Sequence, residues 1–396
     1  MCRDRLPPLS VYIHWPWCLR RCSYCDFNAY PMGGETLVEP FVGGVEAELS
    51  RVCRWFNEQR ALLGSTAAPP AVSVFFGGGT PSLLPAAAVQ RILEAVGEQI
   101  GLAWDVEVTL EANPGARERG EWCDYRAAGI NRLSLGVQSL DDHLLRRLGR
   151  VHDSRAALSA LEQAHAAGLT RVNVDLMYAL PGQTQSSAQA DVTRLVNLGV
   201  KHISHYQLTI ESGTPIAQNP PADLPDDQAQ AQMESACREQ MAAAGLKRYE
   251  VSAFAGPGQQ CVHNLNYWSY GDFLGIGPGA HGKLTLAPGK IVRTEAVASP
   301  QQWLRSAGTE SADARDWQLS RDEVVFELFA NGLRLVDGIA PCEAQANSGI
   351  SWTELEDCVG QLIKDGWLEW RAGRLRAADG AFELLDSALE FLLPAS

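Results

Sequence analysis

Three features predict an α/β fold with a polar-lined barrel and a smaller unit behind it. Apolar, strand-like runs alternate with helix-period segments at least six times in the first two thirds of the chain. That is the arrangement of parallel strands joined by outer helices. Four of those strands carry apolar side chains on one face and polar ones on the other, whereas an ordinary parallel strand is apolar on both. From about Ser299 the pattern changes to helices followed by a short hairpin.

The elements follow in order. The stretch 11–30, VYIHWPWCLRRCSYCDFNAY, begins as a strand and continues as a loop with three cysteines. Residues 34–60 read as a helix, with Leu37, Phe41, Val45, Leu49, Val52 and Phe56 near helical period. Residues 71–76 are an apolar strand running into Gly77, Gly78, Gly79, Thr80 and Pro81. Residues 85–100 are a helix, 106–112 a strand, and 116–128 a helix closed by Gly129. Strands at 132–139, 171–179 and 202–210 alternate with helices at 141–148, 154–167 (capped by Ser154), after Pro181-Gly182, and at 225–244. Beyond Tyr249 come a short strand in 251–255, the sequence Cys261 to Trp268, a glycine-dense segment to Gly282, and a hairpin around Pro288-Gly289.

Strand parity selects candidate site residues. In 106–112 the side chains of Glu107, Thr109 and Glu111 share a face opposite Val106, Val108 and Leu110. Ser134, Gly136 and Gln138 oppose Leu133, Leu135 and Val137; Asn173 and Asp175 oppose Val172, Val174 and Leu176; Tyr12 and His14 oppose Val11 and Ile13. Barrel active sites form at the C-terminal ends of strands, which picks out Tyr12, Glu111, Gln138 and Asp175. The glycine run at 77–79 lets backbone approach a ligand closely. It is no Walker loop, since no Gly-Lys-Ser/Thr follows.

The three cysteines supply the chemistry. Cys18, Cys22 and Cys25 stand in a CxxxCxxC spacing. Three thiolates on one loop can hold three irons of a [4Fe–4S] cubane. Clusters usually take four cysteines, so the fourth iron is left open to a small ligand. Arg20 and Arg21 beside them favour the thiolate form. Structural zinc is the alternative, but zinc sites usually pair two CxxC knuckles or one with two histidines, and no second CxxC occurs.

Composition narrows the function classes. The chain has 396 residues, is 46% hydrophobic and carries a formal net charge of −14. That balance argues against nonspecific nucleic-acid binding. Arg371, Arg374 and Arg376 on the C-terminal hairpin therefore read as a solvated wing rather than a phosphate contact. Ten cysteines at irregular spacing are no disulfide framework in a chain this long. Those at 53, 123, 237 and 358 fall in helical patterns and read as small core residues. No apolar stretch approaches membrane-spanning length, and the expected location is a reducing cytoplasm.

The motifs together resemble a known family. The signature around Cys18, Cys22 and Cys25, with Tyr24 between the last two, resembles the radical S-adenosylmethionine (radical SAM) superfamily. The segments FFGGGTPS, LEANP, RLSLGVQS, LGRVHD, NVDLMYALPGQT, HYQLTIE and HNLNYW resemble its oxygen-independent coproporphyrinogen III oxidase-like branch, and within it the HemW heme chaperones. The resemblance implies a partial (β/α)6 TIM-like barrel over 1–295 and a winged-helix-like domain over 299–396. It implies Cys18, Cys22 and Cys25 as cluster ligands, and Tyr12, Tyr24, Gly78, Gly79, Thr80, Glu111, Gln138, Arg150 and Asp175 as the S-adenosylmethionine site. His263, Tyr267 and Trp268 match a motif associated with heme. The branch's oxidase has a further cysteine where this chain has Phe27, and a longer N-terminal extension. The implied function is thus heme binding and transfer to apo-hemoproteins, respiratory ones above all, with oxidative decarboxylation of coproporphyrinogen III as the alternative. Homodimerisation and transient contact with membrane proteins are left open.

Overall fold

The computed structural model describes residues 6–33, 37–115 and 121–393. The beginnings of the helices expected from 34 and from 116 lie outside them. Six strands pair in parallel and in sequence order: β1 (Leu9–Trp15), β2 (Ala71–Gly78), β3 (Leu102–Ala112), β4 (Arg132–Gln138), β5 (Arg171–Tyr178) and β6 (His202–Gln207). The helices between them are α1 (Val38–Leu62), α2 (Ala86–Gln99), α3 (Trp122–Ala127), α4 (Asp142–Arg147), α5 (Ser154–Ala166) and α6 (Gln185–Asn197), with α7 (Asp227–Ala243) after β6.

The barrel does not close on itself. A short strand β7 (Ala253–Ala255) lies antiparallel beside β6, and β8 (Asp272–Ile276) runs parallel on the far side of β1. β9 (His281–Ala287), β10 (Lys290–Ala296) and β11 (Asp313–Gln318) extend that edge antiparallel. Between β7 and β8 lies a two-turn helix, α8 (Val262–Trp268).

Packing explains the two-faced strands. Val11, Ile13, Val74, Phe76, Leu110, Leu133, Val174 and Ile203 are fully buried in one core with Phe41, Val45 and Leu49 of α1 and Val89 and Ile92 of α2. Trp15 meets Phe41 edge-on, ring centres 4.9 Å apart. Burying such a side chain contributes about 1.5–3 kcal/mol. The polar faces turn inward, where Glu107 of β3 lies 3.5 Å from Arg171 of β5, two strands away.

Several expectations shift. β1 runs on to Trp15, so His14, not Tyr12, is the last inward residue of that strand. β8 occupies the glycine-dense segment, to which no element was assigned, and β11 was not anticipated. Helix α5 is capped by Asp153, whose carboxylate accepts from the Ala156 N–H, rather than by Ser154. Cys53 and Cys237 are buried as expected, but Cys123 and Cys358 are exposed.

A second core gathers α10 (Arg321–Gly332), α11 (Pro341–Ser348), α12 (Trp352–Lys364), the hairpin β12 (Leu368–Arg371)–β13 (Arg374–Ala377) and α13 (Leu385–Leu389). The expected junction at 295–299 does not coincide with the junction between the cores. Helix α9 (Pro300–Ser306) inserts Trp303 into the first core, and β11 completes the large sheet. Tyr270 and Ile291 belong to the second core instead. After the hairpin, α13 carries a 3-10 turn at each end. On the hairpin, Arg371 pairs with Asp379, Arg374 with Glu343, and Arg376 with Asp379 and Glu369. No helix among the described residues is long and apolar enough to cross a membrane.

Candidate cluster and cofactor site

A cavity of about 470 Å³ opens at the C-terminal ends of the strands. The loop after β1 supplies one wall. Its ends are fixed by the Tyr30 N–H donating to the Pro16 carbonyl (2.7 Å) and the Met32 N–H to the Cys18 carbonyl (2.9 Å). Cys18, Cys22 and Cys25 all line the cavity, Cys18 buried and the other two half-buried. Burial pushes the Cys25 thiol up, and the Phe27 N–H partly offsets it. Phe27 itself is 59% exposed at the rim. Tyr24 lines the same wall, its ring packed on the satellite core of Leu144, Leu148, Met177 and Leu208.

The glycine run is shaped by close approach. A Cβ on Gly79 would sit 2.5 Å from the Trp17 carbonyl oxygen, and one on Gly78 would meet His14 at 2.7 Å. Gly78 also has φ +109°, which disfavours any side chain. Thus the Gly78 and Gly79 backbone lies directly against the cysteine loop. The Gly79 and Thr80 N–H groups donate to the Trp15 and Trp17 carbonyls.

Strand ends complete the site. Glu111 Oε2 accepts from the Gly78 N–H at 3.1 Å. Burial, then the neighbouring Asp175 charge, raise the Glu111 carboxyl to about 8, against the pull of that N–H. Asp175 accepts from Asn173 Nδ2 (2.7 Å) and Ser134 Oγ (3.3 Å), and burial raises it to about 6. Two carboxyls facing one cavity, each shifted toward neutrality by burial, suit a cationic ligand that would reverse the shift. Gln138 sits at a register shift between β4 and β5 with φ +68°, a strained conformation for a non-glycine. Its Oε1 accepts from the Tyr206 hydroxyl at 2.7 Å.

Arg150 reaches in from the loop after α4. Its Nη1 donates to Cys22 Sγ at 3.4 Å, and its Nη2 donates to the Gly136 carbonyl at 2.5 Å and to Asn113 Oδ1. Asn113 in turn donates to Thr80 Oγ1 at 3.2 Å. Ser134 was read on the polar face of its strand but not as a site residue, and Asn113 and Tyr206 were not singled out from the sequence. Asn113 stands in the quoted LEANP, two residues beyond Glu111, so its position was available; Tyr206 lies on a strand whose parity was not read.

Tyr12 and the HNxxYW residues lie elsewhere. Tyr12 is one layer below the cavity, its hydroxyl donating to His14 Nδ1 at 3.1 Å while His14 Nε2 donates to the Asn28 carbonyl. Helix α8 plugs the opposite mouth of the barrel. Glu107 Oε1 accepts from the Val262 and His263 N–H groups at its start (2.7 and 3.3 Å). The His263 ring packs on Phe75, centroids 4.7 Å apart, with Nδ1 3.0 Å from Ser73 Oγ. Tyr267 contacts Phe273 and the edge of Trp268, and the Arg334 guanidinium covers Trp268. The three do not form one open face.

The donor set fits a cubane cluster. Three sulfurs share one cavity wall, the cation of Arg150 adjoins one of them, and the cavity beyond is large enough for a small molecule. Fold and cysteine loop define a radical SAM protein, and the Radical SAM superfamily model matches residues 12–195. The chain is 39% identical to the heme chaperone HemW of Escherichia coli over 98% of this chain and 99% of that protein. It is 35% identical to that of Mycobacterium tuberculosis over 98% and 95%, and 36% to the mouse mitochondrial radical S-adenosyl methionine domain-containing protein 1 over 97% and 87%. In structure it resembles E. coli coproporphyrinogen III oxidase (HemN), with TM-score 0.77 and 21% identity over 98% and 91%. The latter shows the fold alone. The chain belongs to the HemW family of the radical SAM superfamily.

Proposed function

We propose that the chain is a heme chaperone of the cytoplasm, which binds heme and passes it to apo-hemoproteins. The full-length similarity to proteins named heme chaperone HemW carries this reading. Cys18, Cys22 and Cys25 would hold a [4Fe–4S] cluster. Gly78, Gly79, Thr80, Glu111, Gln138, Arg150 and Asp175 would hold S-adenosylmethionine, with Tyr24 on the cysteine-loop wall and Tyr12 one layer beneath the cavity. Cluster and cofactor together supply one-electron chemistry when bound. The chain's own residues orient the cofactor and neutralise its charges: two carboxyls for its cationic groups, Arg150 for its carboxylate.

His263 is the proposed heme ligand. Ser73 Oγ donates its hydrogen to Ser10 Oγ (2.7 Å), so towards His263 it accepts. The imidazole proton therefore sits on Nδ1, and Nε2 keeps its lone pair. Burial lowers His263 to about 4, so the ring is neutral near pH 7 and ligand-competent. Tyr267 and Trp268, on the same short helix, would flank the porphyrin once the helix moves outward.

The test is a side-by-side assay of reconstituted protein. Heme binding and transfer to an apo-hemoprotein, with no consumption of coproporphyrinogen III, is the expected result. Turnover of coproporphyrinogen III without heme affinity would overturn the proposal.

A further inference from the structure

The inward face holds a hydrogen-bonded chain that joins the two mouths of the barrel. The Cys261 N–H, at the start of α8, donates to the Tyr249 hydroxyl at 3.3 Å. Tyr249 lies 2.9 Å from His202 Nε2, and His202 Nδ1 lies 2.6 Å from Asn173 Oδ1. Asn173 Nδ2 donates to Asp175 Oδ1 at 2.7 Å. Cys261, Tyr249, His202 and Asn173 are all buried.

The chemistry of the partners fixes the direction of every link. Asn173 uses all its capacity: Oδ1 accepts from His202 and from Ser204 Oγ (3.0 Å), while Nδ2 donates to Ser134 Oγ (2.8 Å) and to Asp175. The amide cannot turn over without setting its oxygen against the Asp175 carboxylate, which when ionised only accepts. An amide oxygen only accepts, so His202 carries its proton on Nδ1. Nε2 then accepts from Tyr249, whose own oxygen accepts from Cys261. Burial, and then the Arg132 charge, keep His202 well below the usual histidine range, so it is neutral as this arrangement requires.

We infer that Asn173, His202 and Tyr249 are positioning residues that hold Asp175 for S-adenosylmethionine and tie it to the HNxxYW helix at the opposite mouth. The inference rests on the proposed role of Asp175. None of the three lines the cofactor cavity. They act through Asp175: with its oxygen held by His202, the Asn173 amide keeps Nδ2 on the carboxylate, whose other oxygen accepts from Ser134 Oγ. Fully satisfied buried networks rigidify their members, and losing one link is felt along the chain. Motion of α8 that pulls Cys261 from Tyr249 therefore reaches Asp175 through defined bonds.

The experiment uses full-length, cluster-loaded protein and S-adenosylmethionine. Calorimetric affinity is measured for wild type, Tyr249→Phe, Asn173→Ala and Thr109→Val. Thr109 is an inward residue whose buried hydroxyl has no hydrogen-bond partner among the described residues, and it serves as the control. Expected are a several-fold loss for Tyr249→Phe, about ten-fold for Asn173→Ala, and none for Thr109→Val, with iron and sulfide content unchanged throughout. Nitrogen-15 spectra of the His202 ring should show the Nδ1–H form in wild type and a mixture with Nε2–H in Tyr249→Phe. Wild-type affinity in both chain variants overturns the inference. So does an Nε2–H or doubly protonated His202 in wild type, a measurement that needs no variant to fold. Heme titration of the same samples is read separately: loss of the chaperone reading leaves the affinities standing, and loss of the coupling leaves heme binding standing.

Discussion

Arg150 Nη1 donates to Cys22 Sγ at 3.4 Å, while its second amino group holds the Gly136 carbonyl at the end of β4. One cation thus spans the cysteine loop and the strand ends. Hydrogen bonds to cluster sulfurs raise reduction potential, and a bond to a charged group contributes about 1.5–3 kcal/mol. Arg150→Gln should keep the iron content, make the cluster potential more negative, and weaken S-adenosylmethionine binding by that amount. A redox titration followed by electron paramagnetic resonance and a calorimetric titration check both.

Each cysteine of the loop should be needed for the cluster. Anaerobic reconstitution is expected to give about four irons and four sulfides per chain, and Cys18→Ala, Cys22→Ala or Cys25→Ala to lose the labile sulfide. Stoichiometric zinc without sulfide in the wild type would remove the cluster reading.

Asp175→Ala deletes a carboxylate at the cavity wall without touching a cysteine. The expected loss in S-adenosylmethionine affinity is about 1–3 kcal/mol, at constant iron. Unchanged affinity would take Asp175 out of the site.

Glu48 offers a pH test away from the cysteine loop. It is 2% exposed, and its Oε2 accepts from the Gly277 N–H (2.8 Å) and Trp303 Nε1–H (3.0 Å). Burial raises it from 4.5 to about 7. The folded state then binds a proton that the unfolded state has released, so this contribution is full below about pH 4.5 and lost as pH rises through 7. Denaturant midpoints should show wild type losing up to about 3 kcal/mol over that window relative to Glu48→Gln, which keeps one acceptor oxygen for both donors and cannot ionise.

His263→Ala should weaken heme binding or change the iron's absorption spectrum, since the nitrogen with the free lone pair is removed. Cys261→Ser belongs beside it, because a thiolate two residues away could substitute. Heme binding that survives both changes moves the site elsewhere, with His281 the next histidine to replace.

Much of the barrel was legible because its strands obey a two-residue period with a polar face. That period located Glu111, Gln138 and Asp175, all at the cavity wall. It picked Tyr12 although His14 shares its face and lies nearer the end of β1. It missed β8, whose DFLGI sits among glycines that mimic a turn. Partners distant in sequence, such as Asn113 with Arg150 or Tyr249 with His202, depend on which strands become neighbours. No local pattern encodes that.

Lys283 has a consequence for any attempt to divide the chain. Its ammonium is fully buried, bonded to Asp272 Oδ1 (3.0 Å), the Tyr270 carbonyl (2.8 Å) and, 3.4 Å away, the Asn347 carbonyl at the end of α11. Severing the chain after β10 would strip α11 from that ammonium and leave a charge pair facing water on one side and apolar side chains on the other. A buried pair that loses part of its surroundings is costly. The two cores should therefore melt as one unit, and a transplanted C-terminal half would have to bring the β8–β10 edge along with it.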